Sequence, residues 1–121
     1  MEMVNDKYYV GFEGEPEIKF ICKKAKDNDV IIIWEGYFDE IMRSMKPEEK
    51  GWTGLAYYYN MYLGWYEESP WIIDDLYMAL QQFDMINCEM LSSEACEILK
   101  LICNMIKDAL NNNLDILISR E

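Results

Sequence analysis

Apolar and polar positions along the chain change period several times, and each change marks an element. In KYYVGF, residues 7–12, Tyr8, Val10 and Phe12 alternate onto one face, and in EIKFIC, residues 17–22, Ile18, Phe20 and Cys22 do the same. EGEP between them is a turn signal, so these segments are predicted to form a β-hairpin, followed by the polar loop KKAKDND. Residues 30–45, VIIIWEGYFDEIMRSM, carry both periods. Val30, Trp34, Phe38, Ile41 and Met45 make a helical stripe, whereas VIIIW is β-branched and fits a strand. The favoured reading is a strand and then a helix from about Tyr37, ending before Pro47.

The next segments are helical by the same criteria. TGLAYYYNMYL, residues 53–63, reads as a short helix capped by Thr53 and interrupted by Gly64. EESP reads as a helix start, with Ser69 at the cap, Pro70 in the first turn, and Asp74 and Asp75 near the positive end of the helix dipole. Ile72, Ile73, Leu76, Leu80 and Phe83 form the apolar stripe of this helix. A longer helix runs from Ser92 and Ser93 to about Asn111. Its broad face includes Ala95, Ile98, Leu99, Ile102, Ile106 and Ala109, and asparagines follow it. LDILIS, residues 114–119, reads as a final strand. The expected class is α+β: a small, mostly antiparallel sheet, made of an N-terminal hairpin plus the C-terminal strand, packed against three to four helices. The length of 121 residues and an apolar share of 51% fit one domain spanning 1–121.

Charge narrows the function. Eleven basic residues against 23 acidic ones leave −12. Between Lys50 and Lys100 there is no basic residue, while Glu67, Glu68, Asp74, Asp75, Asp84, Glu89, Glu94 and Glu97 fall there. Such a field repels nucleic acid and anionic lipid and speeds encounter with basic partners. No segment approaches the roughly 18 apolar residues of a membrane span, and the N-terminus MEMVNDKYYV lacks the basic and apolar regions of a signal peptide. A cytoplasmic location is therefore expected. The chain has no histidine, and with it loses the commonest general base and metal ligand. It has no Gly-rich phosphate loop, HExxH, GxSxG or EF-hand spacing. Neither an enzyme nor a cofactor or metal site is expected. Cys22, Cys88, Cys96 and Cys103 show no CxxC spacing and read as small buried hydrophobes. Cys96 and Cys103 lie seven residues apart, about 10 Å along a helix, too far for a disulfide.

Eight of the 17 aromatic residues fall between Trp52 and Trp71. Tyr58, Met61, Tyr62 and Trp65 share a helical face and are assigned to packing. Tyr57, Glu67, Glu68, Trp71, Asp74, Asp75 and Met78 are the candidates for a partner surface, since aromatic residues and methionine are enriched at interface cores and acids around them suit lysine and arginine. The alternative is a carbohydrate-binding or glycoside-processing domain, in which rings stack on sugars and paired carboxylates act across the bond. Stacking on nucleic acid needs a basic groove, and this zone has none.

From about residue 34 to residue 83, with GW, YY, GWY and PWxIxDL as they stand here, the chain resembles immunity proteins of bacterial contact-dependent growth inhibition and related polymorphic toxin systems. The resemblance implies a partner, namely the toxic C-terminal domain delivered by a neighbouring cell, often a tRNA-cleaving RNase or a DNase. The expected function is that of a non-catalytic immunity protein that binds and neutralises a cognate basic toxin domain. An exposed edge strand, or exposed rings in 57–66, would also give a homodimer somewhere to form.

Overall fold

The structure is a computed structural model and describes residues 3–121; Met1 and Glu2, part of the N-terminal segment considered above, lie outside the described residues. The chain runs β1 (Met3–Tyr8), β2 (Glu17–Cys22), β3 (Asp29–Trp34), α1 (Glu35–Arg43), α2 (Gly54–Asn60), β4 (Trp71–Ile72), α3 (Leu76–Asp84), α4 (Ser93–Asn112) and β5 (Ile116–Arg120). The strands form one mixed sheet in the order β1-β3-β2-β5-β4. Every pairing is antiparallel except β1 with β3. The fold is α+β, with four α-helices among the described residues and a mostly antiparallel sheet built from N-terminal strands and a C-terminal strand.

The N-terminal hairpin is β2–β3, and the strand predicted over residues 7–12 is displaced. Both edges of β2 are taken, by β3 and β5, so the segment before it has no place beside it. The segment pairs with β3 instead, over Met3–Tyr8, and residues 9–16 are turns through Gly11 and Gly14 at φ +97° and +92°. Phe12 stacks on Trp34 with ring centroids 4.3 Å apart. The ambiguity over 30–34 resolves to strand, and α1 starts directly after it.

One face of the sheet carries the core. Ile18, Phe20, Ile31, Ile33, Ile116 and Ile118 are buried there, and Phe20 meets Phe38 of α1 and Phe83 of α3 edge-on. Against these packs α4, with Ala95, Ile98, Leu99, Ile102, Cys103, Ile106 and Ala109 buried at helical spacing. Ser92 caps α4, accepting from the Ala95 N–H at 3.2 Å, and the Glu40 carboxylate in turn accepts from the Ser92 N–H and hydroxyl. Asn113, left-handed at φ 53°, ends it. On the opposite face of the sheet one cross-strand row, Ile72–Leu117–Ile21–Val30–Val4, is aliphatic at all five positions.

The helix start predicted at EESP is corrected. Ser69 is not a cap, because its hydroxyl donates to the Trp65 carbonyl and accepts the Arg120 N–H. Trp71 and Ile72 pair with β5, and the Ile73 N–H reaches the Ile116 carbonyl at 2.9 Å. The cap falls six residues later, at Asp75, whose side chain accepts from the Met78 N–H at 2.9 Å. Strand pairing against the C-terminal edge thus wins over local helix-start chemistry. As a result Ile72 is 44% exposed instead of joining a helical stripe. Likewise α2 ends at Asn60, and Tyr62 turns left-handed at φ 57°. The helical face assigned to Tyr58, Met61, Tyr62 and Trp65 is therefore broken. Trp65 is buried, Tyr58 half-buried, and Met61 and Tyr62 are 51% and 73% exposed.

The cysteine reading is corrected in one respect. Cys88, in a short 3-10 turn, is disulfide-bonded to Cys96 in the first turns of α4. The turn after α3 folds Cys88 back onto the start of α4, a pairing that helix spacing alone does not reveal. Cys22 and Cys103 are free and buried. Among the described residues no helix is long and apolar enough to cross a membrane.

Candidate functional site: an acidic aromatic groove

Five of the seven candidate residues meet in one groove. Tyr57, Trp71, Asp74, Asp75 and Met78 line it together with Leu55, Tyr58, Ile73 and Ala79, around a volume of about 400 Å³. Three elements supply its walls. Helix α2 gives Tyr57 and Tyr58, β4 and the link after it give Trp71, Ile73, Asp74 and Asp75, and α3 gives Met78 and Ala79. Glu67 and Glu68 do not line the groove; they lie exposed after the 3-10 turn Gly64–Tyr66. Tyr58, assigned to packing from its helical spacing, is a wall residue, with its ring 4.8 Å from that of Trp71.

The groove floor is pinned. Gln82 of α3 clamps the first turn of α2, accepting from the Leu55 N–H at 2.9 Å and donating to the Thr53 carbonyl at 2.8 Å. Gly54, between these two, has φ +55°, and a Cβ there would stand 2.6 Å from Gln82 Oε1 and 2.9 Å from Met78 Sδ. Glycine suits this left-handed backbone, and its missing Cβ leaves room for the Gln82 amide and the Met78 thioether. The sequence carries a signal for this, in the Thr-Gly pair opening α2, but nothing in it pairs that turn with Gln82.

Asp75 spends one oxygen on its cap, and Asp74 makes no hydrogen bond or ion pair with any described residue. No lysine or arginine lines the groove. Its chemistry is therefore that of an apolar slot with anionic charge at its rim.

A second set of rings and acids lies at the far end of a line of aromatic contacts. From Tyr57 the line runs through Tyr58, Trp71 and Trp65 to Tyr66, with successive centroids 4.8 to 5.7 Å apart. There the Arg120 guanidinium lies 5.6 Å over the Tyr66 ring and forks onto both oxygens of Glu35, through Nε to one and through Nη2 to the other at 3.2 Å. The Tyr59 hydroxyl donates to Asp39 Oδ1 at 3.0 Å. Burial pushes the Asp39 carboxyl above its ordinary range, outweighing the Tyr59 hydrogen bond, and burial pushes the Tyr66 phenol up to about 12. The hydrogen bond to Glu35 holds Arg120 still more firmly protonated.

A shallower hollow between α3 and α4 reaches Cys103. Burial, and then the neighbouring Asp84, push that thiol up to about 12, far from thiolate chemistry. No group of three or more metal-ligating side chains that could hold an ion occurs among the described residues. Compared with protein families, with characterised proteins and with solved structures, the chain matches none.

Proposed function

We propose that the protein is a non-catalytic immunity protein that neutralises a basic toxin domain by docking it on the acidic aromatic groove. The observation that carries this reading is the convergence of Tyr57, Trp71, Asp74, Asp75 and Met78 on one concave surface without a cation. Aromatic and methionine side chains supply contact area at an interface core, and the uncompensated acids supply steering and choice of partner. The resemblance over residues 34–83 supplies the kind of partner: a toxic C-terminal domain, and by charge a nuclease. The net charge of −12 favours a rapid, salt-sensitive encounter with it. On this reading the protein works in the cytoplasm of the cell it protects. Reducing conditions there keep Cys88 and Cys96 as thiols, so neutralisation is expected to be the same with and without the bridge. The sugar-processing alternative gains no comparable support, since Trp65 is buried and Glu67 and Glu68 stand outside the groove.

The test is co-expression with the toxin domain encoded beside the gene, read as growth rescue and as affinity of the purified pair. Asp74→Lys with Asp75→Lys is expected to abolish rescue while the circular dichroism spectrum stays native. Rescue that survives the double reversal removes the groove from the proposal.

A further inference from the structure

Resting on that reading of the groove, we infer that its occupant is an arginine side chain of the partner, with the guanidinium on Asp74 and Asp75 and the stem between Met78 and the Tyr58–Trp71 rings. The molecule contains an internal precedent. At the other end of the aromatic line, two neighbouring acids and a ring are completed by Arg120, which stacks on Tyr66 and forks onto Glu35. The groove presents the same parts, ring faces beside adjacent carboxylates, with no guanidinium of its own.

Each part of the occupant is set by an observation. The carboxylates favour a cation. The walls require that this cation carry apolar surface, which excludes a small hydrated ion. The ring pair requires a flat, weakly hydrated head, which favours guanidinium over ammonium. The volume of about 400 Å³ is ample for one long side chain. The pinned floor, held by Gln82 across Thr53 and Leu55, means the slot is formed before the partner arrives.

The experiment uses the whole protein and three small probes, N-acetyl-arginine methylamide and its lysine and citrulline counterparts, followed by NMR. Citrulline keeps the shape of arginine and loses the charge. The arginine probe is expected to shift the Trp71 indole and the Asp74–Met78 amides saturably. Citrulline should bind at least about tenfold more weakly, and lysine roughly three- to tenfold. Asp74→Asn with Asp75→Asn should reduce arginine binding about tenfold and leave α3 capped, because asparagine caps as well as aspartate. Equal binding of citrulline, stronger binding of lysine, or unchanged binding to the double Asn variant each overturns the inference. Failure here with loss of rescue in the charge-reversed protein leaves the groove as the toxin surface and removes only arginine as its occupant. Specific arginine binding with rescue intact does the opposite.

Discussion

The two clusters of rings and acids differ in one component. Around Tyr66, Glu35 and Asp39 the fold supplies a cation from the last strand. Around Trp71, Asp74 and Asp75 it supplies none. The first cluster is closed: Arg120 forks onto Glu35 and lies over Tyr66, which ties β5 to α1 and to the 3-10 turn, and Tyr59 donates to Asp39. The second is open. An aromatic, acidic composition is therefore not itself a sign of binding. Both clusters draw rings from the same stretch, residues 52–71, and only the place where the chain returns an arginine separates a structural joint from an available surface. That return is non-local, since Arg120 lies 85 residues from Glu35.

The comparison breaks most completely at Trp65, which touches both sides. Trp65→Ala should cost about 3–5 kcal/mol in urea unfolding and disturb both clusters at once. Next comes the closed cluster. Arg120→Met leaves Glu35, 16% exposed, without its cation, and should cost about 1–2 kcal/mol. The figure sits below that of a buried pair because Arg120 itself is 38% exposed. Adding Glu35→Gln should recover part of the loss, as a thermal melt of the double variant would show.

A narrower effect is confined to alkaline solution. The Tyr66 phenol is held up at about 12 in the fold against an ordinary 10.0, so the unfolded chain gives up that proton first. Stability from this group is complete below about pH 10 and is lost as pH rises toward 12. Tyrosinate absorbance followed together with melting temperature should show most of the loss in that window. The smallest effect sharpens the contrast. Asp74→Asn, at an exposed carboxylate without a partner, should change stability by less than about 0.5 kcal/mol while weakening toxin binding. A large stability change there would mean that the groove is a structural joint like the other cluster.

Elements with a strong period and both ends marked were legible in the sequence. Helix α4 has a serine cap, acids in its first turn and a broad stripe from Ala95 to Ala109, and it forms as read. Strand β5 follows its pattern as well, and residues 30–45 form the favoured strand and then helix, with the helix starting at Glu35 rather than about Tyr37. What was illegible depends on partners distant in the chain. Ser69, Pro70 and the two aspartates satisfy helix-start rules, but β5 claims the backbone of Trp71 and Ile72. Residues 7–12 alternate properly, but β2 has no edge left for them. Cys88 reaches Cys96 only because the turn after α3 doubles back. The groove was legible for a partly mistaken reason. Trp71, Asp74 and Met78 have the spacing of one helical face, whereas the fold gathers them from a strand, a link and a helix. Glu67 and Glu68 lie near these residues in sequence, but the 3-10 turn does not bring them to the slot.

Strand β4 has a further consequence. It is two residues long, it forms one edge of the sheet, and its first residue is a wall of the groove. So brief an edge opens at low free energy, and its amides should exchange with solvent faster than those of β2 or β5. A partner that presses on Trp71 must hold that edge shut. Occupancy of the groove would then be visible as slowed deuterium uptake at the Ile73 amide, which is bonded to the Ile116 carbonyl of β5.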